Sequence, residues 1–92
     1  MELSHAEIRQ LKAAAQHLEP VVFLGKHGLT PEWLQSVDAA LASRELIKLK
    51  FVAFKTERRA LAAEIAARTG SELITVVGHV AVLYRPKPLP IE

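Results

Sequence analysis

The amino-acid sequence predicts a single compact α/β domain, a four-stranded mixed sheet with packed helices in the order α-β-α-β-α-β-β. Three observations lead there. Apolar residues recur at helical spacing behind helix-start residues at Ser4, Thr30 and Thr56. Residues 45–52 alternate apolar and basic side chains with a period of two, the mark of a strand. Two β-rich runs flank Gly78 near the end of the chain and read as a hairpin. A chain of 92 residues suffices for one such domain and is too short for two.

The elements follow in order. Ser4 is a good helix cap, and Glu7 three residues on completes a capping box, with Leu3 and Ile8 at the hydrophobic-staple positions. Ile8, Leu11, Ala15 and Leu18 then give one buried helix face, and Pro20 stops the helix near His17 or Leu18. Val21-Val22-Phe23-Leu24 reads as a short buried strand ended by glycine. Thr30 caps a second helix, Pro31 suits its first position, and Glu32 complements its positive end. Trp33, Leu34, Val37, Ala40 and Leu41 form its apolar face, which runs out near Ser43.

Between Glu45 and Val52, Ile47, Leu49 and Phe51 point one way while Lys48 and Lys50 point the other. That pattern predicts a sheet with one dry and one wet face. Thr56 is expected to cap a third, alanine-rich helix with Leu61, Ala62, Ile65 and Ala66 as its core stripe and Gly70 as its terminator. Leu73–Val77 and His79–Tyr84 form the closing hairpin. Residues 86–92, with proline at every second position from Pro86 to Pro90, are expected to be an extended tail.

Composition narrows the function. There is no cysteine, so disulfides and thiolate metal sites are excluded. Neither a signal-peptide pattern nor a run of ~20 apolar residues is present, which leads to the expectation of a soluble cytoplasmic protein that does not enter a membrane. Net charge is only +2, yet residues 44–59 hold six bases against two acids. Such local positive charge suits a polyanion, although a solvated basic face without a partner has the same signature.

The sharpest local motif is Gly25-Lys26-His27-Gly28, between a strand and a helix start. Glycines let a main chain approach a phosphate, a helix start supplies N–H donors, and Lys26 and His27 add charge and a further donor. KH domains grip nucleic-acid backbone with a comparable loop. Alone, such a motif is more often a tight turn. Its coincidence with a lysine and a helix start points to phosphate. It matches neither the Walker pattern nor a Rossmann fingerprint. His5, His17, His27 and His79 are not paired at metal-ligand spacing, and Ser4, Ser36, Ser43 and Ser71 sit in no nucleophile elbow. The reading is therefore a non-enzyme with no metal site and no small-molecule cofactor. Trp33 and the phenylalanines Phe23, Phe51 and Phe54 are read as mainly structural.

The run Val22-Phe23-Leu24-Gly25-Lys26-His27-Gly28-Leu29-Thr30 resembles the signature loop of the CRM domain (chloroplast RNA splicing and ribosome maturation). Glu45-Leu46-Ile47-Lys48-Leu49-Lys50 resembles its second strand. Thr69-Gly70, Val77-Gly78 and Leu83-Tyr84-Arg85 resemble its third helix end and terminal hairpin. The similarity spans roughly residues 3–85, nearly the whole chain, which therefore resembles the stand-alone bacterial proteins of the YhbY type. It implies a fold similar to the C-terminal domain of translation initiation factor three. It also implies RNA binding by a domain at residues 1–85, with rRNA of large-subunit precursors as partner and a part in ribosome assembly. The segment Ala53-Phe54-Lys55 is more apolar than the resemblance suggests. The candidate RNA-binding residues are Gly25, Lys26, His27, Gly28, Lys48, Lys50, Arg58 and Arg59. The alternative is a protein-interaction module whose basic face meets an acidic partner.

Overall fold

Ser4 and Glu7 fix where the chain first becomes helical. In the computed structural model, which describes residues 2–87, the Ser4 hydroxyl accepts the Glu7 N–H at 3.1 Å. The Glu7 carboxylate in turn accepts the Ser4 N–H at 3.0 Å. The bond from the Ser4 N–H foremost, and the Ser4 hydroxyl after it, hold the Glu7 carboxyl below its ordinary range. The helix α1 (His5–Ala15) that follows ends at Ala15 with Gln16 as its cap, two to three residues short of the expected stop at His17 or Leu18.

Strand β1 (Pro20–Leu24) leads into α2 (Pro31–Arg44), where the Thr30 hydroxyl accepts the Trp33 N–H at 3.1 Å and Pro31 opens the first turn. Strand β2 (Leu46–Phe51), helix α3 (Arg58–Thr69) and the hairpin of β3 (Glu72–Val77) and β4 (Val80–Tyr84) complete the order. The sheet runs β1-β2-β4-β3, with β1 parallel to β2 and the other pairs antiparallel. This is the single α/β domain with a four-stranded mixed sheet that the sequence predicts. Its radius of gyration is 12.8 Å, near the ~12 Å of a compact chain this long.

Two cores hold it together. The larger packs α2 and α3 on one sheet face through Val22, Leu24, Val37, Leu41, Ile47, Leu49, Phe51, Ile65 and Leu83. Each such large apolar side chain contributes about 1.5–3 kcal/mol on burial. The smaller core lies on the opposite face, where Leu3, Ile8, Leu11 and Ala15 of the α1 region meet Leu46, Ile74, Val82 and Tyr84.

The smaller core corrects the expectation of a wet sheet face. The face bearing the lysines is covered at one end by α1, so Leu46 is an ordinary packing residue there and Lys48 is half-buried, while Lys50 stays exposed. Strand β1 also differs from the buried strand expected. It is an edge strand with Val22 and Leu24 buried and Val21 and Phe23 exposed.

The third helix start differs too. Glu57, not Thr56, occupies the cap, and it makes no side-chain capping bond. The Thr56 hydroxyl donates instead to the Glu57 carboxylate at 2.8 Å. The far end behaves as expected, with Gly70 in the left-handed conformation that glycine adopts most readily.

Arg85, just past β4, straps the helices together. Its guanidinium donates to the Asp38 carboxylate at 2.6 Å, the Asp38 carbonyl at 3.1 Å and the Thr69 carbonyl at 2.8 Å. Thr69 closes α3, so the cation also meets the negative end of that helix. Of the expected tail, Pro86 and Lys87 carry no regular structure, and 88–92 lie outside the described residues.

Candidate nucleic-acid interface

Parallel pairing puts the C-terminal ends of β1 and β2 side by side, so the loops 25–30 and 52–57 leave the same edge of the sheet. Because β4 runs antiparallel to β2, the Gly78-His79 turn arrives at that edge as well. Hydrogen bonds knit the three segments. The Leu24 carbonyl accepts from the N–H groups of Val52 (2.9 Å) and Ala53 (3.1 Å), and the His79 carbonyl accepts from Phe51 at 2.7 Å. The Phe54 ring lies over Gly28, and a Cβ placed there would stand 3.8 Å from it. Phe54 holds φ at +58°, an unfavourable backbone conformation, while its side chain packs against the larger core. The apolar character of Ala53-Phe54-Lys55 thus has a structural cause.

Within the first loop, the Gly28 N–H donates to the Gly25 carbonyl at 3.1 Å and the Thr30 N–H to the Gly28 carbonyl at 3.0 Å. Gly28 has φ +74° and needs to be glycine for that reason. Gly25 has no such need, since its φ is not positive and a Cβ there would meet nothing within 4 Å. Among the described residues, the N–H groups of Lys26, His27 and Leu29 donate to no protein acceptor. The Lys26 and His27 side chains are exposed beside them. Successive free N–H groups in a turn attract anions, and a neighbouring cation adds to that attraction.

The contribution expected from the next helix start is largely absent. Thr30 takes the Trp33 donor and Pro31 has none, so of the first three helical residues only Glu32 keeps a free N–H, on an acidic residue. The free donors at this edge belong to the turn and not, apart from Glu32, to α2.

The other sequence-predicted residues separate. Lys50 lies on the α1-side face at this same edge, paired in register with Phe23 of β1 and Val80 of β4. Lys48 lies two residues farther in, opposite Val82. Arg59 is exposed at the α3 start. Arg58 is half-buried, donates to the Lys55 carbonyl at 2.6 Å, and keeps its Nε buried without a partner, so it braces its own loop.

Sequence reasoning missed Phe23, which is 53% exposed beside Lys50. Pro20 ahead of it, a residue suited to edge strands, was the available signal. Trp33 is half-buried against the larger core, and its Nε1 donates to the Phe23 carbonyl at 2.8 Å, which fits a core-edge role. Among the described residues, no three of His, Cys, Asp or Glu converge as a metal site needs, and no helix is long and apolar enough to cross a membrane.

Comparison with known proteins gives a consistent picture. Residues 3–85 match the family described as the CRS1 / YhbY (CRM) domain. The chain is 37% identical over 91 residues to a Pseudomonas aeruginosa protein named "Probable RNA-binding protein PA4753", covering 98% of this chain and 88% of that one. It is 40% identical over 85 residues to a Haemophilus influenzae protein named "RNA-binding protein", covering 91% and 86% respectively. Its fold is similar to the solution structure of SAV1595 from Staphylococcus aureus, with a TM-score of 0.80 and 30% identity over 96% of this chain and 93% of that one.

Proposed function

The chain belongs to the CRS1/YhbY (CRM) domain family, and from that premise we propose that it is a non-catalytic RNA-binding protein, with residues 1–85 as the binding unit. The observation that carries this reading is the 25–29 turn, with Lys26 exposed beside free N–H groups and further cations at Lys50 and Arg59 around the same edge. Such a rim grips phosphates whatever the base sequence. The relatives named as RNA-binding proteins support RNA as the polyanion. The ribosomal part of the proposal, binding to rRNA in large-subunit precursors and assistance to their assembly in the cytoplasm, rests on the family resemblance.

Lys26→Ala tests the turn. The substitution leaves the backbone intact, so melting is expected to be unchanged. Affinity falls for many RNA sequences alike, and the slope of log affinity against log salt drops by about one charge. A well-folded variant with full affinity and the original slope removes Lys26 from the interface. Sedimentation of tagged protein with ribosomal particles tests the target, and absence from large-subunit precursors would discard the ribosomal part alone. An acidic protein that binds this rim where RNA does not would favour the protein-interaction reading.

A further inference from the structure

The α1-side face of the sheet is only half covered. At the end away from the smaller core, Phe23, Lys50, Val80 and Val77 stand in register in one row across all four strands. Phe23 is 53% and Val77 69% exposed, unusual for large apolar side chains on a sheet. Next to this row, between the last turn of α1 and the sheet, is an open cleft of about 300 Å³. Val77, Val80 and Val82 form its apolar floor, and Lys12, Gln16 and Lys48 stand along its sides. Cleft and row together hold three lysines (Lys12, Lys48 and Lys50) and no carboxylate. Phe23 lies two residues before Gly25, so the row adjoins the 25–29 turn.

We propose that this row and cleft receive the unpaired bases of a single-stranded RNA segment whose backbone is held at the 25–29 turn. The inference rests on the RNA-binding reading and adds the class of RNA. An apolar floor whose charged neighbours are all cations fits a ligand with flat apolar faces and an anionic backbone. An unstacked nucleotide has both, whereas a duplex keeps its base faces stacked inside. The Phe23 ring and the Val77–Val80 floor take base faces, Gln16 and Thr75 offer hydrogen bonds to base edges, and the lysines take the flanking phosphates. An acidic peptide shares the charge but offers a flat ring only at an occasional aromatic residue, whereas every nucleotide of a single strand carries one.

The test uses the full chain, a 12-nucleotide single-stranded RNA, and the same RNA annealed to its complement, read by fluorescence anisotropy over a salt series. The variants are Phe23→Ser and Val77→Ser, with melting followed in parallel, and Lys26→Ala as reference. Stacking of one base on an aromatic ring is expected to make Phe23→Ser bind the single strand about tenfold more weakly or worse. Its salt slope stays unchanged because no ion contact is removed. Duplex affinity stays as it was, and Val77→Ser, which shortens the floor, shows the same pattern more weakly. Full single-strand affinity in well-melting Phe23→Ser and Val77→Ser proteins overturns the base site and leaves the RNA-binding reading standing if Lys26→Ala still weakens binding. Equal losses for duplex and single strand overturn it as well. A wild-type protein that binds neither RNA overturns both readings. Polyglutamate that competes for the row in a Phe23-dependent way assigns the face to an acidic protein.

Discussion

At φ +74° Gly28 sits where an L side chain is strained whatever space surrounds it, while Gly25, three residues earlier, has room for a Cβ. The two glycines therefore separate folding from binding. Gly28→Ala is expected to lower stability by about 1–2 kcal/mol. Gly25→Ala should stay within about 0.5 kcal/mol of the wild type. If phosphate approaches the turn at Gly25, the same substitution weakens RNA binding, so a melt and an RNA titration on one variant report the two effects independently. Undiminished affinity in Gly25→Ala would place the phosphate elsewhere on the rim. Charge at the sheet edge follows the same logic. The double variant Lys48→Glu, Lys50→Glu is expected to melt cooperatively and to bind RNA more weakly. Loss of the cooperative transition would mean that half-buried Lys48 has a larger packing role under α1 than its charge suggests.

Helix α1 carries an acid dependence. The folded-state pKa of Glu7 is lowered, so its stabilising effect is present above the unfolded value and is lost as pH falls through the folded one. Amide exchange in the first turn of α1 is expected to quicken on that acid side, and Glu7→Gln to flatten the response. Unaltered exchange down to full protonation would show that the capping box does not hold the turn. On the other sheet face, Arg85→Ala is expected to cost about 1–2 kcal/mol, chiefly through its bonds to the Asp38 and Thr69 carbonyls. The ion pair itself adds little, since Asp38 is 61% exposed. Arg85→Lys should restore little, because a single ammonium lacks the fork that spans both helices.

What could be read in advance divides along similar lines. Ser4 with Glu7, Thr30 with Pro31, Gly70 and the alternation around Lys48 are local signals, and each set its element within a residue or two. Which sheet face α1 would cover, why Phe54 takes a positive φ, and what Arg85 holds depend on contacts between residues far apart in sequence, which periodicity does not encode. The candidate site shows the same division. The turn was legible as a motif, but its donors were assigned to α2 and the exposure of Phe23 was missed, because an edge strand is defined by its neighbours.

For the molecule as a whole, the two cores differ in size, and α1 rests on the smaller one. It is expected to open to solvent at lower free energy than the sheet, giving weaker hydrogen-exchange protection over His5–Ala15 than over β2 and β4. Equal protection across α1 and the central strands would mean that the protein opens only as a unit. The bond from Trp33 Nε1 to the Phe23 carbonyl has a further consequence at this scale. Strand β1 is an outer strand, and an outer strand with open carbonyls and apolar side chains is a template on which another chain can add. Pro20 and the register shift after it interrupt one end of that template, and the indole occupies a carbonyl farther along. The residue that packs α2 to the core thus also discourages strand-to-strand aggregation. The protein can then leave Phe23 uncovered, because Pro20 at one end and the indole N–H farther along leave a second chain little of this strand to pair with.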